Sequence, residues 1–145
     1  MGRFVQTLAC AYAAICSGEQ PWVALGDFRN EWFDGEIEQR FALVADPISI
    51  PLDPTEDQYR WAVFCAASAE WLCARYAVPC PAWALNPGYQ LAEPWFDSPN
   101  VWKAEVREWL LATTPEPFAR RNIFCGDRVF ANKYEWAEEM RARRA

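Results

Sequence analysis

The sequence predicts an all-α fold of five to seven helices, with little or no β-structure. Apolar side chains recur at helical spacing along most of the chain, and prolines and glycines separate these stretches. From Trp61 to Ala67 the chain is apolar on every face of a helix, which is typical of a helix that others surround. The length of 145 residues fits a single helical domain over residues 1–145.

Three helices are predicted ahead of this central helix. The first covers about residues 3–17 and ends at Gly18, a residue type that suits a C-terminal cap. The second begins at Pro21, because proline favours the first turn of a helix, and it closes near Gly35. A short third helix is predicted over residues 36–45.

The central helix lies between two proline-rich segments. Three prolines between residues 46 and 54 exclude a regular helix there. Thr55 and Gln58 then have the spacing of a capping box, which predicts a helix over about residues 56–76. Residues 78–98 combine prolines with many aromatic side chains, so they are predicted to form a long, ordered connection.

A further helix is predicted after this connection. Ser98 and Pro99 suit its cap and first position, and the helix should run to about Ala112. One apolar stripe along it is expected to pack in the core. The stripe consists of Val101, Trp102, Val106, Trp109 and Leu110.

The last part of the chain is predicted to contain a short turn, a connection and a final helix. Thr114 and Pro115 repeat the cap pattern before the turn. Residues 122–130 form either a hairpin around Gly126 or a loop, and the loop is favoured because two isolated strands of three residues are marginal. The final helix is predicted over about residues 133–144.

Nine tryptophans and no histidine constrain the function. Without histidine there is no Ser-His-Asp triad, no Cys-His pair and no His-based zinc site, so we assign no catalytic residue and expect a binding protein rather than an enzyme. Tryptophan is enriched at protein interfaces, although core packing is its commoner use. Four tryptophans fall inside predicted helices, where packing explains them, namely Trp61, Trp71, Trp102 and Trp109. The other five lie near element ends or in the proline-rich connection, namely Trp22, Trp32, Trp83, Trp95 and Trp136.

Charge and cysteine content set further limits. The net charge of −6 opposes binding to phosphate backbones, so direct nucleic-acid binding is not expected. No stretch approaches the roughly 20 apolar residues of a membrane span. Six cysteines without a C-x-x-C pair predict reduced core thiols in a cytoplasmic protein. We expect no metal and no cofactor, because the ligand sets and glycine-rich phosphate loops are missing.

The segment Thr114–Phe124 is the main candidate for a binding site. Its two prolines fix the backbone, while Phe118 provides an aromatic anchor and Arg120, Arg121 and Asn122 provide polar groups. Such a segment acts either as a recognition loop or as a buried polar clamp, and the clamp is favoured.

Two further candidates lie outside that segment. Asp27 follows a glycine among apolar residues, so it is predicted to be partly buried and paired with an arginine such as Arg120. Trp95 belongs to the aromatic surplus of the proline-rich connection. An alternative function follows from these residues: a small enzyme or ligand-binding protein whose carboxylates, Asp27, Glu31 or Glu93, line an aromatic pocket between residues 22–32 and 89–96.

Several strings of the sequence resemble a known group of proteins. They are the run Glu70–Cys73 through Pro81–Trp83, the run Tyr89–Phe96, and Thr114–Phe118 with Arg121–Phe124. They are similar to a poorly characterised group of small bacterial helical proteins, over roughly residues 20–130. Proteins of that group sit in operons with nucleotidyltransferase-like toxins and are taken to be their antitoxins, sometimes with a helix-turn-helix in front. This chain departs from the group in lacking an evident N-terminal DNA-reading module.

The sequence and the resemblance together imply a small acidic protein-binding module of the cytoplasm. Its expected role is that of an antitoxin-like inhibitor whose acidic, aromatic surface covers a basic protein partner, such as a toxin encoded nearby. A phage-type inhibitor has the same acidity and small size and is a further alternative.

Overall fold

The computed structural model describes residues 5–144. Within them the chain forms seven α-helices and a parallel pair of two-residue strands, which confirms the predicted all-α class. The helices are α1 (Leu8–Cys16), α2 (Pro21–Asp34), α3 (Arg40–Ala45), α4 (Glu56–Arg75), α5 (Ala104–Thr113), α6 (Glu116–Ala119) and α7 (Lys133–Arg144), and the strands are β1 (Trp95–Phe96) and β2 (Ile123–Phe124). There are also two 3₁₀ turns, Ile37–Gln39 and Ala82–Leu85. In this part of the chain, the helices are all too short or too polar to cross a lipid bilayer.

Helix α4 is the centre of the fold. Thr55 Oγ1 accepts a hydrogen bond from the Gln58 amide at 3.0 Å, and Gln58 Oε1 accepts one from the Thr55 amide at 2.9 Å, so the predicted capping box is present. Every residue from Trp61 to Ala69 is buried, and α1, α6 and the second 3₁₀ turn pack against this stretch. The central helix predicted over residues 56–76 is therefore confirmed.

Helix α1 ends in a Schellman motif. Gly18 has a φ of +106°, its amide donates to the Ile15 carbonyl at 3.1 Å, and the Glu19 amide donates to the Ala14 carbonyl at 2.9 Å. Glycine is required here because other residues rarely adopt a positive φ. The predicted C-terminal end of this helix is thus confirmed, whereas its predicted start near residue 3 is wrong for the described residues: residues 5–7 are not helical, and α1 begins only at Leu8, where the Thr7 hydroxyl caps it by accepting a hydrogen bond from the Cys10 amide at 3.1 Å.

The next two helices follow the predicted boundaries. Helix α2 begins at Pro21, and Gly35 stands directly after its last residue. The stretch predicted as one helix over residues 36–45 consists of the first 3₁₀ turn, which continues without a break into α3. Leu43 and Val44 are buried on the inner side of this stretch.

The connection over residues 78–98 is ordered and packs on the core. The Trp83 indole Nε1 donates to the carbonyl of Val44 at 2.8 Å, which fixes the second 3₁₀ turn against α3. Further along, β1 pairs in parallel with β2, so that Trp95 lies opposite Ile123. The loop predicted for residues 122–130 is present, and its first residues pair with β1 instead of forming a hairpin.

Helix α5 corrects the prediction for the segment after Ser98. Asn100 has a φ of +63°, which interrupts a right-handed helix, and α5 begins only at Ala104. Of the predicted core stripe, Leu110 is buried, while Trp102 is 72% exposed and Trp109 is 49% exposed. The expectation that packing in the core explains these two tryptophans is wrong.

Helix α7 has the predicted boundaries and lies at the periphery. Asn132 Oδ1 caps it by accepting hydrogen bonds from the amides of Tyr134 and Glu135 at 3.1 and 3.0 Å. None of its residues is buried. Polar contacts hold it to the core, including a hydrogen bond from the Tyr134 hydroxyl to Asp34 at 2.7 Å and an ion pair of Arg75 with Glu135 at 2.9 Å.

Candidate protein-binding surface

The segment Thr114–Phe124 is a clamp inside the fold. The Arg121 side chain is only 3% exposed. Its Nη1 donates to the carbonyl of Pro117 at 2.7 Å, and its Nη2 donates to the carbonyl of Ala84 at 2.9 Å and to Glu70 Oε1 at 3.2 Å. Arg121 therefore ties α4, α6 and the second 3₁₀ turn together, and it is a core residue rather than a partner contact.

Glu70 joins both arginines of this clamp. Arg120 donates to both oxygens of the Glu70 carboxylate and also pairs with Glu116 at 3.1 Å. The hydrogen bonds from Arg120 hold the pKa of Glu70 below its usual range, and the charges of Arg121 and Arg120 add to this effect, although burial opposes it. Burial lowers the pKa of Arg121. Because its guanidinium is engaged within the fold, Arg120 is a structural residue despite its partial exposure.

The other two candidates of this segment also serve the fold. Phe118 is fully buried, with its ring centroid 5.2 Å from that of Phe64 and 5.8 Å from that of Trp71. Asn122 has a φ of +67°, and its Nδ2 donates to the carbonyl of Leu91 at 2.8 Å. Both residues therefore stabilise the fold through contacts within the chain, and they do not form a recognition loop.

Asp27 and Trp95 lie in different environments. Asp27 is exposed on α2, and Arg120 pairs with Glu70 and Glu116, so the expected pairing of Asp27 with Arg120 is wrong. Trp95 is half-buried against Trp61, with ring centroids 5.1 Å apart. Asp27 thus remains a predicted contact residue, whereas packing explains Trp95.

Tryptophan rings pack against one another where an aromatic pocket was expected between α2 and residues 89–96, and the cleft of about 480 Å³ that Glu93 lines lies instead between α4 and residues 90–94. Trp22 and Trp95 both pack edge to face against Trp61, with centroid separations of 6.2 and 5.1 Å. Asp27 is exposed to solvent, as is Glu93. The alternative of a carboxylate-lined aromatic pocket is therefore not supported at this place.

Sequence reasoning missed one half-buried acid, Asp97, next to these rings. Burial raises the pKa of Asp97, the charge of Asp57 adds to the shift, and a hydrogen bond from Trp22 opposes it. Burial also raises the pKa of the nearby Cys125 thiol to about 12. A thiol with so high a pKa is mostly protonated near neutral pH, where it is a poor nucleophile.

Metal-binding groups do not converge in the part of the chain that the structure describes. Residues 5–144 contain no cluster of three cysteine, aspartate or glutamate side chains that could hold a metal ion. The six cysteines all lie in this range, and all are free thiols.

The negative charge of the chain is concentrated in one segment. Residues 19–57 contain ten carboxylates and two arginines, a formal charge of −8, whereas the rest of the chain has a formal charge of +2. Nine of the ten carboxylates are exposed, and both arginines, Arg29 and Arg40, are half-buried. We call residues 19–57 the acidic segment. Counting charges along the chain, rather than over the whole of it, would have revealed this segment from the sequence.

Arg40 does little to neutralise the outer surface of the acidic segment. Its guanidinium lies over the rings of Trp32, Phe33 and Tyr76, at 5.3, 5.7 and 5.1 Å from their centroids. Its Nε donates to the carbonyl of Trp32 at 3.0 Å. The positive charge of Arg40 is therefore directed into the fold.

The acidic segment also exposes apolar side chains. Ile37 is 69% exposed and Phe41 is 45% exposed, on the helical stretch formed by the first 3₁₀ turn and α3. Beside this stretch a cleft of about 640 Å³ lies between α1, α2 and α3, and Asp34, Gly35, Glu36 and Ala42 are among its lining residues. Exposed apolar groups within a charged rim are a common feature of protein interfaces.

A second group of exposed aromatic residues lies in the C-terminal half. Trp102 and Trp109 lie in residues 101–113, which comprise α5 and the turn before it and which we call the α5 region, and Tyr134 and Trp136 lie in α7. Of the five tryptophans expected as a surplus, Trp136 is thus exposed, whereas Trp22, Trp32, Trp83 and Trp95 pack against the core. Unlike the acidic segment, residues 102–144 contain nine basic and seven acidic side chains, a formal charge of +2.

Comparisons with known proteins give no further guide to the site. No family model matches the chain, and neither a curated protein nor a solved structure is similar to it.

Proposed function

We propose that this chain is a protein-binding module of the cytoplasm that acts as an antitoxin-like inhibitor of a basic protein. The observation that carries the proposal is the acidic segment. Arg60 pairs with Glu56 at 2.8 Å and Lys133 pairs with Asp34 at 3.5 Å, but no exposed arginine or lysine lies within residues 19–57 beside the other exposed carboxylates. A surface of this kind accelerates association with a basic partner and repels acidic ones.

Other classes of partner fit this surface less well. Nucleic acids carry a phosphate backbone, which such a surface repels. Anionic lipid headgroups are repelled for the same reason. A basic protein is the class of macromolecule whose charge complements residues 19–57.

The resemblance to antitoxins suggests where such a partner is encoded. Antitoxins of that group are taken to neutralise a toxin of the same operon, so the partner proposed here is the product of an adjacent gene. The free cysteines fit a reducing compartment. Burial raises the pKa of the Cys73 thiol to about 12, which disfavours its reactive thiolate form.

Co-expression with the adjacent gene tests the proposal. We expect wild-type protein to suppress the toxicity of the neighbouring product and to form a stoichiometric complex with it, measured by growth and by light scattering after gel filtration. The affinity should fall as salt is raised, because salt screens exposed charges. Toxicity that persists in the presence of the folded chain, with no complex at low salt, would contradict the proposal.

A further inference from the structure

We propose that the outer side of the helical stretch Ile37–Ala45 is the docking surface, and that it takes a basic amphipathic helical segment of the partner. This inference rests on the proposed function and assigns the proposed partner contact to one surface of the chain. The apolar side chains of the partner segment contact Ile37 and Phe41, and its lysines or arginines face Glu36 and Glu38.

The fold leaves the apolar part of this surface exposed. Ile37 and Phe41 are four residues apart on a continuous helical stretch, so they lie about one turn apart on the same side. They are 69% and 45% exposed, whereas Leu43 and Val44 already bury the inner side of the stretch. Burying two such side chains in an interface contributes more than the scattered contacts around them.

The charged part of this surface selects the occupant. Glu36 and Glu38 flank Ile37 in the sequence, and Asp46 follows the last residue of α3; all three side chains are exposed. Arg40 lies on the same stretch but is held over Trp32 and two other rings. The carboxylates around Ile37 and Phe41 are therefore available to a cationic partner segment.

Charge also argues against a second copy of this chain using the same face. Two such faces would place Glu36 and Glu38 of one copy against the same carboxylates of the other, which is unfavourable. The C-terminal arginines of another copy, Arg141, Arg143 and Arg144, are a basic group that this chain could itself supply to the surface. The measurement of oligomeric state below distinguishes that case.

A synthetic peptide provides the direct test. The probe is an amphipathic helix of leucine and lysine of about four turns, or ~14 residues, and its control has the same composition in scrambled order. We expect the amphipathic peptide to bind the wild-type protein at least about tenfold more tightly than the scrambled one, by fluorescence anisotropy. Equal affinity for the two peptides would overturn the proposal, because charge alone would then explain the binding.

Matched variants locate the binding. Two double variants test the surface: Ile37→Ala with Phe41→Ala, and Glu36→Lys with Glu38→Lys. Each should lower the affinity for the amphipathic peptide about tenfold. Leu85→Ala with Leu111→Ala controls for exposed apolar area, and Glu138→Lys with Glu139→Lys controls for net charge. Both control variants should bind the amphipathic peptide with an affinity within about twofold of that of the wild type. If the controls weaken binding as much as the test variants do, the surface is not at Ile37 and Phe41.

Two further measurements separate this inference from the proposed function. If wild type suppresses the toxicity of the neighbouring product and the variant that combines all four test substitutions does so equally well, the inference fails while the proposed function stands. If wild type itself neither suppresses toxicity nor binds, both fail. A concentration-dependent oligomer of wild type that Glu36→Lys with Glu38→Lys dissolves would identify a second copy as the occupant and overturn the inference.

Discussion

Helices α4 and α5 have similar apolar content and opposite surroundings. Both contain two or more large aromatic or leucine side chains at helical spacing. Eleven of the twenty residues of α4 are buried, while α5 buries Leu110 alone. Helix α4 is enclosed by α1, α6 and the second 3₁₀ turn, whereas Trp109 of α5 lies over Gly126, where an added Cβ would stand 3.2 Å from its ring.

An apolar stripe therefore predicts a helix, but it does not show which other elements pack against the stripe. The free energy of burial depends on the area removed from water, which other elements supply. Elements that are distant in the sequence pack over α4 and remove its apolar area from water. In the α5 region, little of the area of Trp102 and Trp109 is removed from water by this chain. Substitutions in the two helices should therefore differ in effect although the side chains are alike.

The largest effect is expected in α4. Phe64 lies within ring contact of Trp22, Trp61, Trp95 and Phe118. Phe64→Ala removes those contacts and leaves a cavity, so it should lower the free energy of unfolding by about 3–5 kcal/mol. Urea unfolding followed by circular dichroism measures this change. A loss below about 1 kcal/mol would mean that α4 is not enclosed as described.

Sequence patterns predicted the elements whose determinants are local. The capping box at Thr55 fixed the start of α4, and Pro21 and Gly35 bracketed α2. The start of α5 was predicted wrongly because Ser98 and Pro99 form a suitable cap, but Asn100 adopts a positive φ that ends any helix there. Asparagine tolerates that conformation more readily than most residues, yet the sequence does not require it to do so.

The candidate site was harder to predict because its determinants are distant in sequence. Arg121 was selected for its unusual neighbours, but its role depends on Glu70 and Ala84, which lie 51 and 37 positions away. The exposure of Ile37 and Phe41 also depends on tertiary packing, since a helical pattern does not show which side the core covers. The acidic segment, by contrast, was readable from charge order alone.

An intermediate effect on stability is expected at Glu70, in the C-terminal half of α4. Glu70→Gln removes the carboxylate that faces the buried Arg121, so it should cost about 2 kcal/mol of unfolding free energy near pH 7. Glu116→Gln is the matched control, because Glu116 pairs with Arg120 at an exposed position and should cost less than about 0.5 kcal/mol. Equal effects of the two substitutions would contradict the clamp.

The effect of Glu70→Gln should depend on pH. The pKa of Glu70 is lowered in the folded protein, so the ionised carboxylate stabilises the fold at pH values above its unfolded pKa. That stabilisation is lost as the pH falls through the folded pKa. The difference between wild type and Glu70→Gln should therefore be largest near neutral pH and shrink towards pH 3, as measured by urea unfolding at several pH values. A difference that stays constant with pH would mean that the carboxylate charge has no part in it.

The smallest effect is expected in the α5 region. Trp102 is 72% exposed, and the Lys103 ammonium group lies 5.1 Å from its ring centroid at the surface, so Trp102→Ala should change the unfolding free energy by less than about 0.5 kcal/mol. Trp109→Ala should cost about 1 kcal/mol, because half of that side chain covers Gly126 and its surroundings. Urea unfolding at two protein concentrations, tenfold apart, measures both. A loss above about 1.5 kcal/mol for Trp102→Ala would mean that another molecule covers this side of α5, and a dependence of that loss on protein concentration would identify the cover as a second copy of the chain.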